Sequence, residues 1–157
     1  MIGMSILQPL VALMIWTMIM WAWMYATRIP AMHANRDIDT RHLRGGKDLD
    51  FDRLLPDRVQ WKAHNYNHLH EQPTVFYAVG IVLAIIGAGD GIPALLAWIY
   101  TGLRIIHTLV QVTANRVMVR FVLFAMSSLV LIALIGIAAA RVFGVETGGS
   151  ENLLGSV

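Results

Sequence analysis

The feature that most constrains this fold is a series of long apolar stretches that are almost free of charge. A helix needs about 20 mostly apolar residues to cross the hydrocarbon core of a bilayer. Residues 4–27 meet this length without a charged side chain, and residues 93–113 and 117–142 are the next clear cases. Charged residues make up only 14% of the chain, against about a quarter in soluble domains. The sequence therefore predicts an all-α integral membrane protein.

A fourth span requires a helix with a polar first half. The apolar run at residues 73–88 is too short by itself, but a helix over residues 63–88 reaches spanning length. Pro73 removes one backbone hydrogen bond there, which is compatible with a kink or with a helix start. Residues 1–157 are thus expected to form a single four-helix bundle with a loop at residues 28–62. The short Gly-rich tail at residues 144–157 is expected to be poorly ordered.

Basic residues are concentrated at one end of this predicted bundle. The 28–62 loop contains eight Lys or Arg residues and the connection between the third and fourth spans adds two, whereas the tail has only Arg141. The positive-inside rule then places both basic loops in the cytoplasm and both termini outside. Residues 1–27 lack a basic start and exceed the apolar length of a secretory signal, so they are interpreted as an uncleaved span.

Polar side chains inside the spans are the candidate functional residues. A charged group near the bilayer centre costs roughly 2.5–3.5 kcal/mol on insertion scales, so it faces a bundle interior, a partner or a wet cavity. Because Glu71 and Arg104 have opposite charges, pairing them is the least costly arrangement, and we expect that ion pair. Helical spacing places three such residues on one face of each of two helices: His64, His68 and Glu71 on the second, and Arg104, His107 and Gln111 on the third.

Two further arginines lie at the same end of the predicted bundle. Arg28 closes the first span and Arg120 opens the fourth. Together with Arg104 they leave positive charge that the single internal acid, Glu71, does not balance, and such a site suits an anionic ligand with carboxylates. The structural alternative is that the ion pair only fixes helix register and bundle specificity. Both interpretations remain open at this point.

Metal binding is a competing interpretation of the histidines. A His-x-x-x-His pair has suitable ligand spacing, but adjacent arginines repel a divalent cation, and diiron membrane enzymes need more ligands than this chain supplies. The chain has no cysteine, and its net charge of +2 is too small to indicate nucleic-acid binding. The sequence therefore predicts no metal site and no nucleic-acid partner. Ser127 and Ser128 are interpreted as helix-contact residues.

Two motifs of the chain are the runs Asn65-Tyr-Asn-His-Leu-His-Glu-Gln-Pro73 and Arg104-Ile-Ile-His-Thr-Leu-Val-Gln111, the second followed by Arg120. They resemble motifs of the MAPEG family, the membrane-associated proteins in eicosanoid and glutathione metabolism. The resemblance covers roughly residues 4–143 and is to bacterial-type members. It implies a homotrimer of four-helix bundles surrounded by lipid in a bacterial inner membrane. It also implies that glutathione, as co-substrate, binds at each subunit boundary near the cytoplasmic side.

The resemblance further implies roles for individual residues. Arg120 matches an arginine that stabilises the glutathione thiolate and is the expected catalytic residue. The expected glutathione-binding residues are Arg28, His64, His68, Glu71, Arg104, His107 and Gln111. The chain departs from the family pattern where His64 and His68 replace Arg and Asn, where Gln111 replaces a Tyr, and where Phe121 replaces the catalytic Ser of some members.

The function implied is that of a glutathione-dependent transferase or peroxidase acting on lipophilic electrophiles that arrive from the membrane. The departures at Gln111 and Phe121 support an alternative, a non-catalytic scaffold or accessory subunit with the MAPEG fold. A metal-dependent or lipid-modifying activity is the third class. The sequence leaves open whether the protein is an enzyme.

Overall fold

The computed structural model describes residues 3–35 and 54–144, and the regular structure in these two ranges is all helical. The helices are α1 Leu7–Ala34, α2 Asp57–His68, α3 Gln72–Ile85, α4 Ile92–Thr113 and α5 Val117–Val142. Helices α1, α4 and α5 are each long and apolar enough to cross a membrane. The prediction of an all-helical integral membrane protein is therefore confirmed. Most of the expected tail, residues 145–157, and the central part of the expected loop, residues 36–53, lie outside the described residues.

Helix α1 continues well past the end of the predicted first span at residue 27. It begins at Leu7 and reaches Ala34, with Pro30 inside it, and Asn35 after it has an extended backbone. Residues 31–34 contain Ala and Met, which are good helix formers, so the helix persists although Pro30 removes one of its hydrogen bonds. At the other end of the expected loop, α2 begins at Asp57. Residues 28–34 and 57–62 of the predicted loop are therefore helical.

The second apolar region forms two helices in place of one helix over residues 63–88. Helix α2 ends at His68 and α3 begins at Gln72, with Pro73 in its first turn. Glu71 has φ −87° and ψ −95°, outside the helical region. Proline has no backbone N–H to give and fits the first turn of a helix, so a helix start is the natural outcome at this position. Just past the end of α2, His70 N and Glu71 N donate to the carbonyls of Asn67 and His68, three residues earlier in each case.

The core between the helices is apolar and close-packed. Helix α1 contacts α2, α3 and α4, while α5 contacts α3 and α4. The rings of Phe76 and Tyr100 stack with their centroids 4.2 Å apart. A Cβ atom at Gly80 would lie 2.8 Å from Leu10 Cδ1, so the glycine allows α1 and α3 to approach closely, as small residues do in membrane bundles. The buried core residues include Leu10, Leu13, Phe76, Leu83, Ala97, Tyr100, Leu131 and Leu134.

The N-terminal residues are tied to the turn between α3 and α4. Ser5 N donates to Asp90 Oδ1 at 3.0 Å, and Gly3 N donates to Ala84 O at 3.0 Å. In that turn, Gly91 has φ +68°, a left-handed conformation that favours glycine. These contacts fix one end of the bundle, opposite the end where α2 joins α3.

Gln72 links three helices inside the apolar region. Its Nε2 donates to Ser128 Oγ of α5 at 2.7 Å, and its Oε1 accepts from the Tyr100 hydroxyl of α4 at 3.3 Å. Ser127 lies on the same side of α5 and is fully buried. Where water is scarce, polar side chains satisfy each other across helices, and each such bond stabilises a membrane bundle by about 0.6–2 kcal/mol.

We predict that Gln72→Leu lowers the stability of the detergent-solubilised protein by about 1–3 kcal/mol, because it removes the interhelical bonds to Ser127, Ser128 and the buried Tyr100 hydroxyl. The measurement is the thermal unfolding midpoint. Thr113→Val is the matched control, because the Thr113 hydroxyl bonds only to Leu109 O of its own helix. Equal effects of the two substitutions would show that the Gln72 bonds do not hold the helices together.

Candidate functional site

Arg104 is the most deeply buried charged residue in the described part of the chain. Its side chain is 1% exposed. The guanidinium carbon lies 5.8 Å from the ring centroid of Tyr100 and 5.7 Å from that of Phe124. Its Nη2 donates at 3.5 Å to the backbone carbonyl of His68, the last residue of α2, which also accepts from Glu71 N. Its Nε and Nη1 have no hydrogen-bond partner among the described residues. Two donors of a buried cation thus remain available.

Glu71 pairs with His68 and not with Arg104, contrary to the expected ion pair. His68 Nδ1 and Glu71 Oε2 are 2.7 Å apart. The pairing is local, because His68 and Glu71 are three residues apart, a spacing at which side chains are neighbours, whereas Arg104 is buried on another helix. The Glu71 side chain is 65% exposed and that of His68 is 25% exposed. Arg104 and Glu71 interact only at longer range.

His68, Arg104 and His107 meet where α2, α4 and α5 converge, and we call these three residues the basic cluster. The rings of His68 and His107 have centroids 5.2 Å apart, and Phe124 of α5 lies 5.5 Å from the His68 ring. His107 is buried. Arg104, His68 and Arg120 are all close enough to His107 to interact with it electrostatically. The basic cluster is therefore positive, with Glu71 at its exposed edge.

Arg120 lies in the first turn of α5, beside the turn that follows α4. Its Nη1 donates to Asn115 Oδ1 at 2.7 Å, while its Nε is buried without a partner among the described residues. Asn115 has φ +47°, a left-handed conformation that asparagine tolerates better than most residues. The turn thus orients the Asn115 side chain, which in turn holds the arginine.

The remaining predicted site residues occupy different environments. Gln111 is buried one helical turn beyond His107, and its Oε1 has no partner among the residues described. His64 is exposed on α2, so the structure does not bury it with His68, and Arg28 is half-buried near the end of α1. The structure therefore brings together His68, Glu71, Arg104 and His107, with Arg120 and Gln111 beside them. The described residues contain no group of three or more His, Asp or Glu side chains arranged to hold a metal ion.

Two buried polar residues were missed by the sequence interpretation of the site. Asn65 is 1% exposed, and neither its amide nitrogen nor its amide oxygen has a partner within the described ranges. Thr108 is fully buried and its hydroxyl also lacks one. Asn65 precedes His68 by three residues on α2 and Thr108 follows His107 on α4, and these helices pack against each other. Helical spacing from His68 was the signal that could have found Asn65.

The interface of α2 and α4 is thus rich in unpaired polar atoms. An unsatisfied buried polar group costs about 1–3 kcal/mol, and more if it is charged. The unpaired atoms include donor nitrogens of Arg104 and Arg120. They also include the donor nitrogen and the acceptor oxygen of the Asn65 side-chain amide. Arginine guanidinium groups are well suited to carboxylates. The arrangement can therefore bind a polar, anionic molecule that brings both donors and acceptors.

Comparison with known proteins identifies the family. No curated protein and no solved structure matches the chain significantly. The sequence model of the MAPEG family matches residues 6–140, a range that contains the basic cluster, Glu71 and Arg120 and covers nearly the whole chain. This protein therefore belongs to the MAPEG family.

Proposed function

We propose that this protein is a membrane glutathione transferase or glutathione-dependent peroxidase that acts on lipophilic electrophiles. The observation that carries the proposal is the buried Arg104, whose Nε and Nη1 have no partner among the described residues. A buried charge is strongly destabilising without an opposite charge. The glutathione that the MAPEG family uses carries carboxylates, which match this requirement.

The proposed roles follow from charge. Arg104 and Arg28 bind the carboxylates of glutathione, and Glu71 accepts hydrogen bonds from its amino group. His64, His68, His107 and Gln111 contribute further polar contacts to its peptide backbone, together with Asn65. Arg120 faces the thiol. A free thiol has a pKa near 8.5 and is only a few per cent ionised at neutral pH, and a neighbouring arginine lowers that pKa. The thiolate then attacks the electrophile.

The surface beside Arg120 suits entry of the second substrate from the lipid. Phe121, the next residue, is 63% exposed, and Val117 and Met118 one turn before it are exposed as well. Exposed apolar side chains on a spanning helix contact lipid. A lipophilic electrophile dissolved in the membrane would reach Arg120 by moving sideways along this surface, without passing through water.

Assembly and orientation belong to the same proposal. We infer a homotrimer with the basic cluster near the cytoplasmic face and both termini outside, as the distribution of Lys and Arg favours, in a bacterial inner membrane. Residues from a neighbouring subunit would then complete the site. The second candidate function is a non-catalytic scaffold, favoured by the lipid-facing Phe121 directly after Arg120, since this side chain offers no polar atom to a reaction.

We predict that glutathione raises the thermal unfolding midpoint of the solubilised protein. At a concentration of 100 times the dissociation constant, a ligand that binds only the folded state adds about 2.7 kcal/mol. Dithiothreitol, a thiol without carboxylates, is the control ligand and should have no effect. An unchanged midpoint at millimolar glutathione would exclude glutathione binding and with it the proposed function.

We predict that Arg120→Leu reduces glutathione conjugation to a chloronitrobenzene electrophile by about 10²-fold or more, because the positive charge that stabilises the thiolate is lost. The mass of the solubilised oligomer should stay unchanged. Arg116→Leu is the matched control, since it removes an exposed arginine four residues away at the same end of α5. Wild-type rates in Arg120→Leu would remove Arg120 from the mechanism, and an inactive wild-type protein that binds glutathione would favour the scaffold.

A further inference from the structure

Glu71 and His68 have the arrangement of a carboxylate–histidine dyad. Glu71 Oε2 lies 2.7 Å from His68 Nδ1. A carboxylate in this position accepts the Nδ1 proton, and this fixes the tautomer whose Nε2 carries a free lone pair. From this geometry we infer that His68 takes the proton of the glutathione thiol and that Glu71 orients and stabilises it. The inference rests on the proposed function and assigns to His68 a role beyond binding.

The position of His68 is suited to proton transfer out of a buried site. Its ring lies against His107 and Phe124, on the edge of the basic cluster, and its backbone carbonyl accepts from Arg104. The Glu71 side chain, on the other side of the imidazole, is 65% exposed. His68 therefore connects the buried positive site to a carboxylate that contacts water.

The charges around His68 favour separation of a proton from a thiolate. The Glu71 carboxylate contacts the imidazole of His68 directly, and the guanidinium of Arg104, with the more distant Arg120 of α5, supplies the positive charge that stabilises a thiolate. Helix α1 packs against this place with apolar side chains. It contributes Trp16 and Met20, which pack with Leu69 and Val112 next to His68.

The step is a simple proton transfer. The S–H bond of glutathione breaks with both electrons left on sulfur, and an N–H bond forms at His68 Nε2. His68 gains one positive charge and the sulfur gains one negative charge. When the product leaves, water enters the site and takes the Nε2 proton, while the Nδ1 proton stays bonded to Glu71. This restores the tautomer whose Nε2 is free for the next cycle. General base catalysis of this kind contributes about 10²–10⁴-fold to a rate.

The test compares His68→Gln and Glu71→Gln with His70→Gln, a control at an exposed histidine whose Nδ1 contacts only the Tyr66 carbonyl. The first measurement is the ultraviolet absorbance of the thiolate of protein-bound glutathione as a function of pH. We expect the midpoint of thiolate formation to rise by about one pH unit or more in His68→Gln, towards the free value near 8.5. Glu71→Gln should raise this midpoint by less, because His68 is still present, although as a weaker base. The His70→Gln midpoint should equal that of the wild type.

The second measurement is the binding of glutathione sulfonate, whose sulfur group is anionic without loss of a thiol proton. Because glutamine keeps a polar side chain for the contact with the peptide backbone of the ligand, His68→Gln should still bind the sulfonate, while its kcat/KM with glutathione falls by about 10²-fold. An unchanged thiolate midpoint in His68→Gln, with glutathione still bound, would overturn the dyad and leave the proposed function standing. Loss of sulfonate binding in His68→Gln would reduce His68 to a binding residue and also overturn the inference. Failure of the wild type to bind glutathione or its sulfonate would overturn both this inference and the proposed function.

Discussion

The structure depends on how a buried guanidinium is accommodated among apolar helices. The guanidinium carbon of Arg104 lies 5.8 Å from the ring centroid of Tyr100 and 5.7 Å from that of Phe124, and Nη2 donates to the backbone carbonyl of His68. In an intact helix that carbonyl would accept from the N–H four residues later. Here α2 ends at His68, and the carbonyl accepts from Glu71 N and from the buried arginine instead. The carboxylate of Glu71 pairs with the imidazole of His68, which therefore contacts both the buried cation and the exposed acid.

The sequence was sufficient to predict the features that depend on patterns over many residues, namely apolar length and helical spacing. Three spanning helices follow from apolar length, and the positions of His68, Arg104 and His107 in one cluster follow from helical spacing on two neighbouring faces. The predicted Glu71–Arg104 pair was wrong. Charge complementarity alone does not say which partner lies within reach, and Glu71 contacts His68, three residues before it.

Other features could not be read from spacing because they depend on packing. Asn65 lies in a polar stretch where most side chains reach water, and only the contact of α2 with α4 buries it. In the sequence, Gln72 is one of several polar residues before an apolar run. In the structure its side chain forms hydrogen bonds with Ser128 and Tyr100 on two neighbouring helices. Ser128 was expected at a helix contact, but its partner depends on where α3 begins. In each case the missing information is which neighbouring helix covers the residue.

The pattern of unpaired atoms also bears on whether this protein is a scaffold or an enzyme. A scaffold needs its buried polar groups only to fix helix register, and paired groups such as Gln72 and Ser128 already serve that purpose. The unpaired atoms of Asn65, Thr108 and Arg104 lower stability by about 1–3 kcal/mol each and hold no helices together. Active sites commonly retain such groups, because binding of a ligand satisfies them and because charge fixed in advance stabilises a reacting anion. The polar interface of α2 and α4 therefore favours a binding site over a purely structural role.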